Sequence, residues 1–69
     1  MKEFYYGMRL RPFSIGAQPK GVIRREDAEP YNTAEQKYYD VIVYDRELTA
    51  EERWRYELDL VRIGVKIDR

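Results

Sequence analysis

Residues 38–65 constrain the fold of this chain more than any other stretch. They read YYDVIVYDRELTAEERWRYELDLVRIGV. Residues 38–44 are aromatic or β-branched except for Asp40, a composition typical of a mostly buried strand. Alternation gives that strand two faces, with Tyr39, Val41 and Val43 on one and Tyr38, Asp40, Ile42 and Tyr44 on the other. We expect the first set to face the core.

A helix is predicted to follow, from about residue 50 to residue 63. Thr49 and Glu52 have the spacing of a capping box, which satisfies amide groups that the start of a helix leaves free. Gly64 can adopt the left-handed conformation that ends a helix. One apolar stripe is expected to pack on the sheet: Ala50, Trp54, Leu58, Val61 and Val65. Trp54 is its largest member, so we expect it to be buried.

A second apolar line on the same predicted helix consists of Tyr56, Leu60 and Ile63. It lies almost opposite the first stripe, and a lone helix on one sheet would not need it. These three residues are therefore candidates for contact with a protein partner.

The N-terminal part of the chain predicts two more strands. Residues 3–11 alternate, with Phe4, Tyr6, Met8 and Leu10 on one face and Tyr5, Gly7, Arg9 and Arg11 on the other. Residues 21–25 form a weaker strand candidate. Its charged residues, Arg24 and Arg25 with Glu26 after them, are typical of a protected sheet edge.

Residues 12–21 contain two prolines and two glycines and are predicted to form turns. Phe13 and Ile15 are too apolar for a surface loop that makes no contacts. Either they fold back over the sheet, which we favour because a small core needs apolar area, or they contact a protein partner. The glycines do not have the spacing of a phosphate-binding loop.

The predicted fold is α+β, in the order β-β-β-α, within one domain of 69 residues. It is a small antiparallel three-stranded sheet with one helix packed on one face, and residues 65–68 leave room for a short C-terminal strand. Two strand orders stay open. Strands that follow each other in sequence tend to lie side by side, which favours the order 1-2-3. Composition instead places the long, apolar first and third strands next to each other and the charged second strand at the edge.

Composition argues against several classes of function. The chain contains neither cysteine nor histidine, which removes disulfides, thiolate chemistry, the commonest general base and the commonest metal ligand. No apolar run approaches the roughly 20 residues of a membrane span. We expect a cytoplasmic protein that is not an enzyme, with no cofactor, no metal, no small-molecule substrate and no membrane contact.

The sheet face opposite the predicted helix would display Tyr5, Arg9, Arg11, Tyr38, Ile42 and Tyr44. Three interpretations stay open. The face is covered by residues 12–36 or by self-association, or it binds another protein. Alternatively, its aromatic and basic side chains stack and hold single-stranded nucleic acid, with Tyr5, Arg9, Arg11, Tyr38 and Tyr44 as the candidates. Asp40 on the same face disfavours phosphate.

The segments YGMRLRPFSIGAQPKGV and YYDVIVYDRELTAEERWRYELDL together resemble a group of short accessory proteins carried by conjugative and phage-like elements of gut Firmicutes. The resemblance implies a small binder that blocks host restriction or CRISPR nucleases, or that regulates transfer, and it brings no functional residue with it. Many such inhibitors imitate DNA with an acidic surface. This chain departs from that pattern because its 13 basic residues balance its 13 acidic residues.

Two functional hypotheses result. The first is a non-enzymatic protein-binding module of a mobile element, acting alone or as a homodimer, with inhibition of a host defence nuclease as a special case. The second is a module that binds single-stranded nucleic acid through the aromatic and arginine face of the sheet.

Overall fold

The computed structural model describes residues 2–9 and 19–65. Its elements are β1 (Lys2–Met8), β2 (Val22–Glu26), a short 3-10 helix (Glu29–Tyr31), β3 (Asp40–Tyr44), α1 (Ala50–Tyr56) and β4 (Leu58–Val65). The α+β class is confirmed, although the sheet has four strands rather than three. Four residues named above lie outside the described residues: Leu10, Arg11, Phe13 and Ile15.

The strand order is β2-β3-β1-β4, and every neighbouring pair is antiparallel. The first and third strands are adjacent and the charged second strand lies at an edge, as composition favoured. The sequential order is excluded. β1 and β3 occupy the centre, where both of their faces can be buried.

The predicted helix of residues 50–63 is wrong beyond residue 56. Glu57 adopts the left-handed conformation at φ 50°, and its N–H donates to the carbonyls of Arg53 and Trp54. Residues 58–65 then form β4, which pairs antiparallel with β1. Gly64, predicted to end the helix, lies within β4 opposite Glu3. The C-terminal strand thus begins at residue 58 instead of residue 65, because pairing with β1 provides hydrogen bonds that outweigh the helical pattern.

The start of α1 is confirmed as a capping box. The Thr49 hydroxyl accepts a hydrogen bond from the Glu52 N–H at 3.1 Å, and the Glu52 carboxylate accepts one from the Thr49 N–H at 2.9 Å. Arg46 donates to both Glu52 oxygens at 2.9 and 2.8 Å. Arg46, followed by these capping bonds, lowers the pKa of Glu52 to about 2.

Apolar side chains are buried on both faces of the sheet. The helix-side core consists of Tyr6, Met8, Ile42, Tyr44, Leu48 and Leu58, with Phe4, Tyr56 and Leu60 packed against it. The loop-side core consists of Tyr5, Ala28, Val41 and Val43, with Tyr31, Tyr38 and Val61 packed against it. Ala28 and Tyr31 belong to the predicted covering segment 12–36, so part of that segment does lie over the sheet.

The helix covers the opposite face of β3 from the one predicted. Tyr6 pairs with Ile42 and Tyr5 with Val43, so the Tyr6 face of β1 continues into Ile42 rather than into Val41 and Val43. Tyr56 then packs from α1 onto this helix-side core. Alternation defines the two faces of each strand, but the register between strands decides which faces join.

Two tyrosines in the helix-side core are expected to respond oppositely to loss of their hydroxyl groups. Their rings meet edge to face at 5.6 Å. The Tyr6 hydroxyl accepts a hydrogen bond from the Leu48 N–H at 2.9 Å, whereas the Tyr44 hydroxyl is buried with no partner among the described residues. Tyr44→Phe should raise the free energy of unfolding by about 1 kcal/mol, and Tyr6→Phe should lower it by about 1–2 kcal/mol. Urea unfolding at neutral pH measures both. Equal losses in the two variants would contradict the assignment.

The Arg46–Glu52 pair predicts a loss of stability in acid. Because the folded-state pKa of Glu52 lies below the ordinary value of 4.5, the pair stabilises the fold above pH 4.5 and ceases to do so as the pH falls towards about 2. Glu52→Gln should lower the melting temperature at neutral pH and flatten its fall over this range. Glu51→Gln is the matched control, because Glu51 is exposed and lies 3.6 Å from Arg55. The prediction fails if both variants show the same acid profile.

Candidate protein-binding surface

The apolar line predicted for protein binding is not one exposed surface. Tyr56 belongs to α1, whereas Leu60 and Ile63 belong to β4. Tyr56 and Leu60 are half-buried against the helix-side core, and Ile63 is 53% exposed. The line requires a helix through residue 63, but α1 ends at Tyr56, so its members separate in the fold.

The structure does not assemble the predicted nucleic-acid platform. Tyr44 is fully buried in the helix-side core, and Tyr5 is buried in the loop-side core on the opposite face. The Tyr38 ring is half-buried over Gly7, where an added Cβ would lie 2.6 Å from it. Among the described candidates only Arg9 is exposed. The described members of the candidate set therefore do not form one continuous exposed aromatic face on which bases could stack.

Arginines of the same chain surround Tyr5. Arg24 reaches across β3 and donates to both carboxylate oxygens of Glu3 at 3.0 Å and to the Tyr5 hydroxyl at 2.9 Å. Hydrogen bonds to Glu3 and then to Glu26 raise the pKa of Arg24. The Arg62 guanidinium lies 5.1 Å from the centre of the Tyr5 ring. The hydroxyl and the aromatic ring of Tyr5 are therefore both in contact with arginines of the same chain.

The prediction that Trp54 is buried in the core is wrong, because its side chain is 80% exposed. Tyr56 turns towards the helix-side core. A residue two positions earlier is rotated by about 200° around the helix and therefore points away from the sheet. The predicted stripe also required Leu58 and Val61 to be helical, and both belong to β4.

Trp54 lies on a surface that also contains Arg9, Lys37, Tyr39 and Arg55, here named the Trp54 surface. One shallow groove of about 350 Å³ is lined by Arg9, Trp54, Arg55 and Glu57. A second groove of about 410 Å³ is lined by Arg9, Lys37, Tyr38 and Tyr39. Arg9 is common to both grooves, and it is therefore the residue that connects the groove of Trp54 with the groove of the 60% exposed Tyr39.

Backbone hydrogen bonds hold the centre of the Trp54 surface in place. The Arg9 N–H donates to the Glu57 carbonyl at 3.1 Å, and the Tyr39 N–H donates to the Met8 carbonyl at 2.9 Å. The end of β1 is thereby fixed between the end of α1 and the start of β3. Trp54 belongs to α1, and Tyr39 directly precedes β3 and is held by this backbone hydrogen bond, which reduces the entropy that a partner would have to remove on binding.

Ion pairs balance the charges of the two arginines on this surface. The Arg9 guanidinium lies 3.4 Å from Asp59 and 4.0 Å from Glu57, and Arg55 lies 3.6 Å from Glu51. Asp59 also accepts a hydrogen bond from the Tyr38 hydroxyl at 3.1 Å. Burial and then this hydrogen bond raise the pKa of Tyr38. Exposed aromatic side chains beside neutralised arginines suit a protein interface better than a phosphate backbone.

The described ranges 2–9 and 19–65 contain no group of three or more acidic side chains that could hold a metal ion. The helix that these ranges contain is too short to cross a membrane.

The family model described as "Defence against restriction A C-terminal" matches residues 1–62. The chain belongs to this family. No curated protein and no solved structure matches the chain. Membership in the defence-against-restriction family agrees with the mobile-element and anti-restriction context that the resemblance implied, whereas an origin in Firmicutes stays a prediction.

The exposure of Trp54 predicts that its removal hardly affects folding. Trp54→Ala should change the free energy of unfolding by less than about 0.5 kcal/mol, because no core contact is lost. Leu58→Ala should lower it by about 2–5 kcal/mol, because Leu58 is buried where β4 joins the helix-side core. Urea unfolding distinguishes the two variants. A loss above 2 kcal/mol for Trp54→Ala would place Trp54 in a core.

Proposed function

We propose that this protein is a non-enzymatic binding module that acts in defence against restriction by contacting a protein of the restriction system through the Trp54 surface. The observation that carries the proposal is the 80% exposure of the only tryptophan of the chain, in a groove lined by Arg9 and Arg55 that shares Arg9 with the groove of the exposed Tyr39. Trp, Tyr and Arg are the residue types enriched where interfaces concentrate their binding energy. The family description supplies the biological context.

A protein partner is favoured over nucleic acid on electrostatic grounds. Arg9 and Arg55 have acidic partners within the chain, and the formal net charge of the whole sequence is zero. Binding to a nucleic-acid backbone depends on unneutralised cations that displace counterions. The same zero charge disfavours imitation of DNA by an acidic surface. A partner that covers Trp54 instead gains from burial of apolar area.

The absence of catalysis is part of the proposal. The sequence has no cysteine or histidine, which leaves carboxylates as the main acid and base groups. Among the described residues, Glu3 is paired with Arg24, Glu52 caps α1, and Asp59 is paired with Arg9. These contacts give the three carboxylates structural roles in the fold.

Protection of unmodified DNA in a restricting host tests the proposal. Cells that contain a restriction endonuclease and express this chain are challenged with unmodified phage, and the efficiency of plating is measured. Trp54→Ala combined with Tyr39→Ala should abolish protection, because loss of about 2 kcal/mol at a hot spot weakens binding roughly 30-fold. Ile23→Ala is the matched control, since Ile23 is an exposed apolar residue on β2, away from the Trp54 surface.

Binding to the purified restriction endonuclease, measured by calorimetry with the same variants, identifies the mode of action. Wild type and Ile23→Ala should bind equally, and the double variant should bind at least roughly 30-fold more weakly. Unchanged protection or unchanged binding in the double variant would contradict the proposal. Binding to a single-stranded oligonucleotide that falls steeply with salt would replace it with the nucleic-acid hypothesis.

A further inference from the structure

The two edges of the sheet differ in how well they are protected. β2 has five residues, VIRRE, and three of them are charged. β4 has eight residues, LDLVRIGV, and only Asp59 and Arg62 are charged. Within the described residues, β4 is hydrogen-bonded to β1 on one side and to no strand on the other. A long apolar edge of this kind is a template for pairing with another strand.

The two charges of β4 do not guard its open edge. The Asp59 carboxylate turns back to the Tyr38 hydroxyl at 3.1 Å and to Arg9 at 3.4 Å. The Arg62 guanidinium lies over the Tyr5 ring at 5.1 Å and donates to the Tyr31 hydroxyl at 3.5 Å. Both side chains are therefore held against the loop-side face of their own sheet. Ile63 and Val65 meanwhile remain 53% and 69% exposed.

A bulge in β4 makes its pattern of faces symmetrical. The neighbouring residues Tyr5 and Tyr6 of β1 pair with Arg62 and Leu60 of β4. Val61, which lies between Arg62 and Leu60, has no residue of β1 opposite it and is therefore the extra residue of the bulge. The pairing with β1 puts Leu58, Leu60, Ile63 and Val65 on the helix side and Asp59, Val61, Arg62 and Gly64 on the loop side. Both sets are symmetrical about the midpoint between residues 61 and 62. Without the bulge, strict alternation would not produce this symmetry.

We propose that β4 pairs antiparallel with β4 of a second copy of this chain, around a twofold axis between Val61 and Arg62. In this register Leu60 lies opposite the partner's Ile63, and Leu58 lies opposite the partner's Val65. Apolar side chains thus meet apolar side chains on the helix side of a continuous sheet. A twofold axis perpendicular to the sheet leaves each side chain on the same face of the sheet in both copies. Because the order of faces along β4 is symmetrical about this axis, each apolar residue lies opposite an apolar residue of the second copy.

A second copy fits this edge better than an unrelated peptide does, because the complementarity comes from the β4 pattern itself. The pairing joins two four-stranded sheets and uses both β4 edges. The outer edges are then the two β2 strands, whose charged residues oppose further addition. Assembly therefore stops at two copies. This proposal does not depend on the role of the Trp54 surface.

Light scattering coupled to size-exclusion chromatography tests the pairing over a range of protein concentrations. The wild type should reach twice the 8.4 kDa mass of one chain. Ile63→Lys should halve that mass, because it places a charge against the partner's Leu60. Ile23→Lys makes the same change on β2 and should leave the mass unchanged. Circular dichroism verifies that each variant is folded. If Ile63→Lys unfolds, Val65→Lys takes its place and should likewise halve the mass.

Amide hydrogen exchange of the wild type provides a measurement without substitutions. Exchange at residues 61–65 should slow as the concentration rises through the monomer–dimer transition, whereas exchange at residues 22–26 should not change. A mass of one copy at every concentration, or a mass that grows beyond two copies, would overturn the proposal. So would a dimer that survives both lysine substitutions on β4 or that Trp54→Ala dissociates.

Discussion

The antiparallel pairing of β4 with β1 is the interaction on which the rest of this structure depends. It requires the chain to leave the helix at Glu57 and run back along the sheet. Leu58 and Leu60 thereby enter the helix-side core, and α1 is limited to seven residues. A helix this short buries only part of its surface, so Trp54 stays outside. The open edge of the sheet and the exposed tryptophan are both consequences of the same strand pairing.

A chain of 69 residues gains stability here by burying both faces of its sheet. One face is covered by α1 and Leu48, and the other by Ala28 and Tyr31 around a network of Arg24, Glu3 and Tyr5. Aromatic and basic residues that would otherwise form a ligand face are thus used within the fold. Six large apolar side chains remain exposed among the described residues, and Trp54 is the most exposed of them.

The sequence allowed the local features to be predicted, because neighbouring residues determine them. The Thr49–Glu52 capping box, the buried strand of β3 and the charged edge strand β2 were all readable in this way. The end of the helix could not be predicted, because residues 58–65 fit two patterns. They can form a strand, but Leu58 and Val61 also continue the helical stripe of Trp54. The register of β1 with β3 also escaped prediction, since it depends on contacts between distant segments. The Trp54 surface was missed for the same reason as the helix end.

Glu57 occupies a backbone conformation that glycine tolerates better, at a cost of about 1 kcal/mol for a residue with a side chain. Its carboxylate is also the second acidic neighbour of Arg9. A glycine here would ease the turn from helix to strand but leave a less neutralised cation beside Trp54. The residue at position 57 therefore determines both the backbone strain of the turn from α1 to β4 and the net charge beside Trp54, so the geometry of the turn and the selectivity of the surface for charged partners depend on the same side chain.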